Sequence, residues 1–144
     1  MRVVCQRVSR AEVRIANVAT GRIDAGLAVL LGIARADTVE DADRLAGKVA
    51  RLRIFDGDDG RFDRSLLDTG GAALVVSQFT LIADARKGNR PSFADAAPPA
   101  DAEPLYDRFC ATLADLGVPV ERGVFGARMA VELVNDGPVT IVLP

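Results

Sequence analysis

Histidine is absent from this sequence, and cysteine occurs only twice, as Cys5 and Cys110. The missing imidazole removes Ser-His-Asp and Cys-His catalysis, and every zinc or iron centre that depends on histidine. Two thiols far apart in sequence are too few for a thiolate metal site, so no metal is expected. They read as buried thiols of a reducing compartment rather than a disulfide framework. No apolar run approaches the ~18 residues of a membrane span; the longest candidate, Gly26 to Ala34, is strand-sized. Met1 leads straight into Arg-Val-Val-Cys-Gln-Arg, which has no signal-peptide pattern, so the expected location is cytoplasmic with no membrane partner. Phosphate-binding motifs are missing too. Gly47-Lys48 is followed by Val49, with Ala42 where a P-loop needs glycine, and no Gly-x-Gly-x-x-Gly occurs. Asp56, Asp58 and Asp59 precede Gly60 as in a calcium loop, but Leu66 stands where the bidentate glutamate belongs. A solvated turn is the better reading, and no cofactor is expected.

What is present is the composition of an ordinary globular protein: 144 residues, 49% hydrophobic and 26% charged. That length predicts one domain over residues 1–144 with a core large enough to fold unaided. A net charge of −2 argues against a protein that coats DNA or RNA electrostatically. The charge is uneven, however. Residues 1–22 hold five arginines against Glu12, and residues 94–121 hold six acids against Arg108. A local basic patch, extended by Arg86, Lys87 and Arg90, stands against the plainer reading of an unevenly charged surface.

The pattern predicts a single α/β domain, rich in strand and layered, with two helices covering a sheet. Arg2–Val8 and Ala11–Ile15 read as an opening hairpin joined at Ser9-Arg10, with a second turn at Gly21. A long strand follows over 23–34, bent at Gly26. Thr38 with Asp41 resembles a capping box, and Val39, Ala42, Leu45, Ala46 and Val49 recur at helical spacing, predicting a helix over 38–50. Residues 52–55 return to strand before the 56–60 turn, and 72–83 read as a buried strand. The connection over 84–99 is long enough to be functional. A second helix is predicted over 102–116 with Pro104 in its first turn. Strands at 118–122, 130–134 and 139–143 close the chain.

Two segments could carry chemistry. Ser77-Gln78-Phe79-Thr80 puts polar groups into an apolar strand. Unpaired buried hydroxyls and amides cost on the order of 1–3 kcal/mol, so these groups either satisfy neighbouring backbone or face a ligand. Asn135-Asp136-Gly137-Pro138-Val139-Thr140 reads on its own as a hairpin turn.

At these positions the sequence resembles the D-aminoacyl-tRNA deacylases of the bacterial and eukaryotic type. Their signatures, Ser-Gln-Phe-Thr and Gly-Pro-Val-Thr, stand unchanged as Ser77–Thr80 and Gly137–Thr140. The resemblance extends over the chain through Gln6-Arg7-Val8, Arg53-Ile54-Phe55, Arg90-Pro91-Ser92-Phe93, Leu105-Tyr106 and Leu133-Val134-Asn135-Asp136. It implies that family's fold, a homodimer, and hydrolysis of the ester between a D-amino acid and the tRNA acceptor end. Gly137 and Pro138, joined by a cis bond, would reach into the partner's site and collide with an L side chain while admitting a D one or glycine. Ser77, Gln78, Phe79 and Thr80 would form the catalytic segment. Water would attack, assisted by the 2′-hydroxyl of the terminal adenosine, with backbone N–H groups near Phe79 and Thr80 holding the carbonyl oxygen. Phe125 and Met129 would line the pocket, although core packing explains them equally well. Arg7 would brace the Gly-Pro loop, against the alternative of a surface ion pair. Arg86, Lys87 and Arg90 are candidate tRNA contacts. One departure is Phe62-Asp63, where many relatives carry Met-Asn. Three other readings stay open: a relative with a shifted editing task, a non-catalytic dimer that binds a tRNA end, and a small-molecule esterase using Thr80.

Overall fold

The computed structural model describes residues 1–144. Strand β1, Arg2–Ile15, is its spine. One edge of β1 pairs with β3 (Gly26–Gly32) along residues 2–8 and with β2 (Val18–Ile23) along residues 11–15. The other edge pairs with β8, Ala130–Leu143. The sheet continues from β3 to β6 (Ala72–Ser77) and β7 (Val120–Arg122), both in parallel.

Two expected turns are not turns. Ser9-Arg10 lies within β1, because β8 stays paired on either side of it, at Val8–Asn135 and Ala11–Leu133, with only a shift of register at Ser9. The chain reverses instead at Ala16-Asn17, both at positive φ (48° and 65°), as a two-residue hairpin loop requires. Likewise, 130–134 and 139–143 are not two strands joined by a hairpin. Both arms run along β1 in one direction, and Asp136-Gly137-Pro138-Val139 bulge outward between the Asn135 and Thr140 pairings. The expected strand over 23–34 is broken at residues 24–25, and Gly26 opens β3. There, a Cβ would lie 1.9 Å from the Ala72 carbonyl oxygen, so only glycine permits the β3–β6 approach.

Helix α1 is Val39–Arg51, and Thr38 with Asp41 forms the expected capping box. A one-turn helix not anticipated, α2 (Leu66–Thr69), has its own box from Ser65 and Asp68. Helix α3 begins earlier than predicted, at Pro99, and ends at Asp115; Pro104 is therefore inside it rather than in its first turn. Both long helices cover one sheet face and are clasped by Asp43, which accepts from Arg108 (2.7 and 2.9 Å) and Thr112 (2.7 Å). That face buries Leu27, Val29, Leu31, Ala73 and Val75 against Leu45, Val49, Phe109 and Leu113. The alternate residues Ala28, Leu74 and Val76 pack on the opposite face with Val8, Ala11, Val13 and Ile23. β3 and β6 are thus buried on both sides, which accounts for their nearly unbroken apolar runs. Phe55–Asp56 (β4) and Phe62–Arg64 (β5) form a separate small hairpin. No helix is long and apolar enough to cross a membrane.

Candidate active site

The predicted strand over 72–83 stops at Ser77, and Phe79–Ile82 wind into a 3-10 turn. Gln78 makes the corner, its N–H donating to Leu31 O on β3 at 2.8 Å. The first internal bond of the turn runs from Leu81 N–H to Gln78 O (3.1 Å). The N–H groups of Phe79 and Thr80 precede that bond and find no acceptor within the turn, as at any helix start. Arg2 Nη1 fastens the far end by donating to Leu81 O at 2.9 Å.

A cleft of about 560 Å³ opens beside this turn. Ser77, Gln78 and Phe79 form one wall, and Phe125, Met129 and Val131 another. Phe93, at the foot of the long connection, meets Phe79 edge-on with ring centroids 5.1 Å apart. Sequence reasoning missed the rest of the lining, which is mostly small: Ala96, Ala97, Pro99 and Ala102. Its only signal was the alanine- and proline-rich composition of 94–102. Phe125 serves both readings weighed for it, since it lines the cleft while its ring leans on core Tyr106 (5.9 Å). Met129 does so as well, packing on the smaller core from the cleft side.

Nucleophilic side-chain chemistry has little support here. Thr80 is exposed, and its hydroxyl accepts from Gln78 Nε2, which supplies a donor and not a base. Burial pushes the Cys5 thiol up from its ordinary 9.0 to about 12, and the Cys110 thiol to about 11. Both are therefore held neutral in the fold. The contribution to stability is full below pH 9 and is lost as pH rises through 11 to 12. Iodoacetamide at about pH 8 is expected to label neither thiol until the protein is denatured; ready labelling of the native form would reopen thiolate chemistry. No cluster of metal-binding side chains is present.

Gly137 and Pro138 do not border the cleft of their own chain. Val131 does, and Gly137 stands six residues farther along β8, on the order of 20 Å at ~3.3 Å per residue. The Gly137–Pro138 bond is cis, and Gly137 has φ +121°. Beneath this bulge lies Arg7, with a side chain only 8% exposed. Its Nε donates to Asp136 O at 3.1 Å and lies 3.4 Å from Asp136 Oδ2. Its Nη1 donates to Ile54 O at 2.8 Å and to Asp56 Oδ1 at 3.4 Å. A buried arginine with four such partners is not a surface ion pair.

The connection over 84–99 is closed at its neck by reciprocal 2.8 Å bonds between Asp84 and Ser92. Arg86, Lys87 and Arg90 are exposed on this loop. Arg86 is held by Asp84 (2.6 and 2.9 Å), whose carboxyl is lowered to about 2 chiefly by that hydrogen bond. Lys87 and Arg90 have no carboxylate within 4.0 Å. Asp63, the added charge of the Phe62-Asp63 departure, pairs with Arg53.

The profile of the family described as D-Tyr-tRNA(Tyr) deacylase matches residues 4–144. The D-aminoacyl-tRNA deacylase of Anaeromyxobacter dehalogenans (strain 2CP-C) is 59% identical over 143 residues, 99% of this chain and 96% of that protein. The protein of the same name from Thermus aquaticus is 56% identical, over 99% of this chain and 94% of that one. Among solved structures, the c-Myc DNA Unwinding Element Binding Protein superposes with a TM-score of 0.95 at 39% identity, covering 100% of this chain and 98% of that one. A probable eukaryotic D-amino acid tRNA deacylase shares the fold, with a TM-score of 0.83 at 21% identity, over 99% of this chain and 97% of that one.

Proposed function

The chain belongs to the D-Tyr-tRNA(Tyr) deacylase family, and we propose from that premise that it hydrolyses D-aminoacyl-tRNA in the cytoplasm as a homodimer. Water adds to the ester carbonyl carbon, the bond to the ribose oxygen breaks, and free amino acid and tRNA leave. The observation that carries this reading is the cleft wall at Ser77, Gln78 and Phe79, where the turn begins and the N–H groups of Phe79 and of Thr80, which stands just outside the lining, have no acceptor within the turn. Such fixed donors suit the charge that develops on a carbonyl oxygen during attack. No side chain beside them offers a base, so the substrate's own 2′-hydroxyl is left to assist the water. Chirality is read by Gly137 and Pro138 of the partner subunit, whose backbone excludes an L side chain and admits D residues and glycine. Strand β8 favours that arrangement: it exposes Val131, Leu133 and Val134 in one stretch. A two-fold axis near Val134, midway between Val131 and Gly137, would bring each Gly-Pro bulge to the partner's cleft. Lys87 and Arg90 remain free for acceptor-end phosphates, while Arg86 is already engaged.

The test is the lifetime of matched D-tyrosyl-, L-tyrosyl- and glycyl-tRNA with catalytic amounts of protein. Loss of the D and glycyl esters with the L ester spared is the expected result. Loss of all three would remove the chiral filter, and survival of all three would leave a binding protein. Thr80→Ala should keep most of its turnover; complete loss in a folded dimer would favour a threonine nucleophile.

A further inference from the structure

We propose that Phe62 is a positioning residue for the chiral filter, holding Arg7 at the angle that fixes Asp136 and Gly137. This rests on the reading of Gly137–Pro138 given above. Phe62 belongs to the β4–β5 hairpin, which does not border the cleft. Phe62 is 54% exposed, yet the Arg7 guanidinium carbon lies over its ring, 5.7 Å from the centroid. Three of the groups that hold Arg7 come from this one segment: Ile54 O, Asp56 Oδ1 and the Phe62 ring. The segment is itself pinned by Arg53, whose Nε donates to Asp63 O at 2.8 Å, and by Arg64 with Asp58 at 2.6 Å.

The geometry divides the work. The two shorter bonds of Arg7, to Asp136 O and Ile54 O, and the longer 3.4 Å contacts to Asp56 Oδ1 and Asp136 Oδ2 are all made by the edge of the guanidinium, so they restrain its tilt out of plane less than its position. An aromatic face supplies the missing restraint, because a planar cation binds it broadside. Rocking matters here. Arg7 Nη2 stands against Gly137, 3.2 Å from where a Cβ on that residue would lie, so tilting the guanidinium moves the bulge. Leucine fills similar space without a quadrupole and cannot replace the ring in this role, whereas tyrosine can.

The experiment measures kcat/KM on D-tyrosyl- and L-tyrosyl-tRNA, together with the dimer fraction, for Phe62→Leu, Phe62→Tyr and Arg7→Lys. Arg61→Ala, an exposed change in the same hairpin, is the control. Phe62→Leu is expected to narrow the D:L ratio about five-fold, which is about 1 kcal/mol at ~1.4 kcal/mol per decade. Phe62→Tyr should stay within about two-fold of wild type, Arg61→Ala should leave the ratio unmoved, and Arg7→Lys should narrow it further. An unchanged ratio in Phe62→Leu, with Arg7→Lys narrowed, would overturn the proposal and leave the filter reading intact. So would a Phe62→Leu defect that disappears when more protein restores the dimer, since the ring would then serve only the interface. If wild type does not discriminate, or Arg7→Lys leaves the ratio unmoved, the filter reading itself has failed.

Discussion

Gly137→Ala is expected to lower kcat/KM on a D-aminoacyl ester by about 100-fold and to cost at least ~10-fold in D:L discrimination. The size follows from what a methyl group meets there. It would lie 2.9 Å from Val139 Cγ2, 3.1 Å from the Val139 nitrogen and 3.2 Å from Arg7 Nη2, on a residue at φ +121°. The first contact is closer than a Cβ tolerates and the other two are tight enough that a neighbour must give by a few tenths of an ångström, and the backbone conformation alone costs an L-residue about 1–3 kcal/mol. Arg7 cannot withdraw without giving up Asp136 and Ile54, so the bulge itself must shift. A displacement of about 1 Å in a positioning element can cost on the order of 100-fold in rate. The loss of global stability should be limited to about 5 °C in Tm, because Gly137 and Pro138 are exposed and only Val139 of the bulge packs on the core. Gly117→Ala is the control: it imposes a similar positive φ (+105°) with nothing within 4 Å. It should lower Tm comparably and leave both rates alone. If Gly137→Ala keeps wild-type rates and selectivity, the Gly-Pro bulge is not the filter.

What the sequence disclosed, and what it hid, follows from the range of the interactions involved. Helix α1 was readable to within a residue, because Thr38, Asp41 and the apolar stripe from Ala42 to Val49 are all local signals. The parallel core strands were readable as continuous apolar runs. The errors fell where a distant partner decides the outcome. Ser9-Arg10 looks like a break until β8 is present to carry β1 through it, with no more than a shift of register at Ser9. Gly137-Pro138 looks like a hairpin tip, and becomes a bulge only because both flanking arms share one partner strand. The Ala16-Asn17 reversal lacked glycine, the usual mark of positive φ. At the site, Ser77–Thr80 stands out as polar groups in apolar surroundings, but nothing local signals that Phe79 begins a tight turn. Phe93 and the alanines of 96–102 were unreadable as lining, since small residues mark a cavity only through what fails to fill it. Arg7 stands out by resemblance alone, because the three residues that bond it in its buried place, Ile54, Asp56 and Asp136, lie 47 to 129 positions away.

Placing a charge on the open face of β8, by Leu133→Arg, is expected to yield a folded monomer with at least ~100-fold less activity where wild type is dimeric. Leu133 is 38% exposed in the single chain, so the substitution leaves both cores intact. Across a two-fold axis the same change is met twice, and an unpaired charge buried in an interface costs about 3–5 kcal/mol. Loss of activity would follow because each cleft would lack the bulge that its partner supplies. That link can be tested without the interface mutation. Phe79→Pro removes the free N–H donor of the one residue of that pair that lines the cleft, at a position where proline fits the start of a helical turn. Gly137→Ala spoils the bulge and leaves the cleft of its own chain untouched. Each homodimer should be nearly inactive. If the partner completes each site, random re-pairing of equal amounts makes half the dimers mixed, and each of these has one site built entirely from wild-type parts. Activity should then recover to about a quarter of wild type. If Gly137 served its own chain, the Gly137→Ala subunit would carry its defect into every pairing, as would the Phe79→Pro subunit. Mixing would then give no more than the average of two nearly inactive proteins, and the cross-subunit filter would have to be abandoned even with the dimer in place.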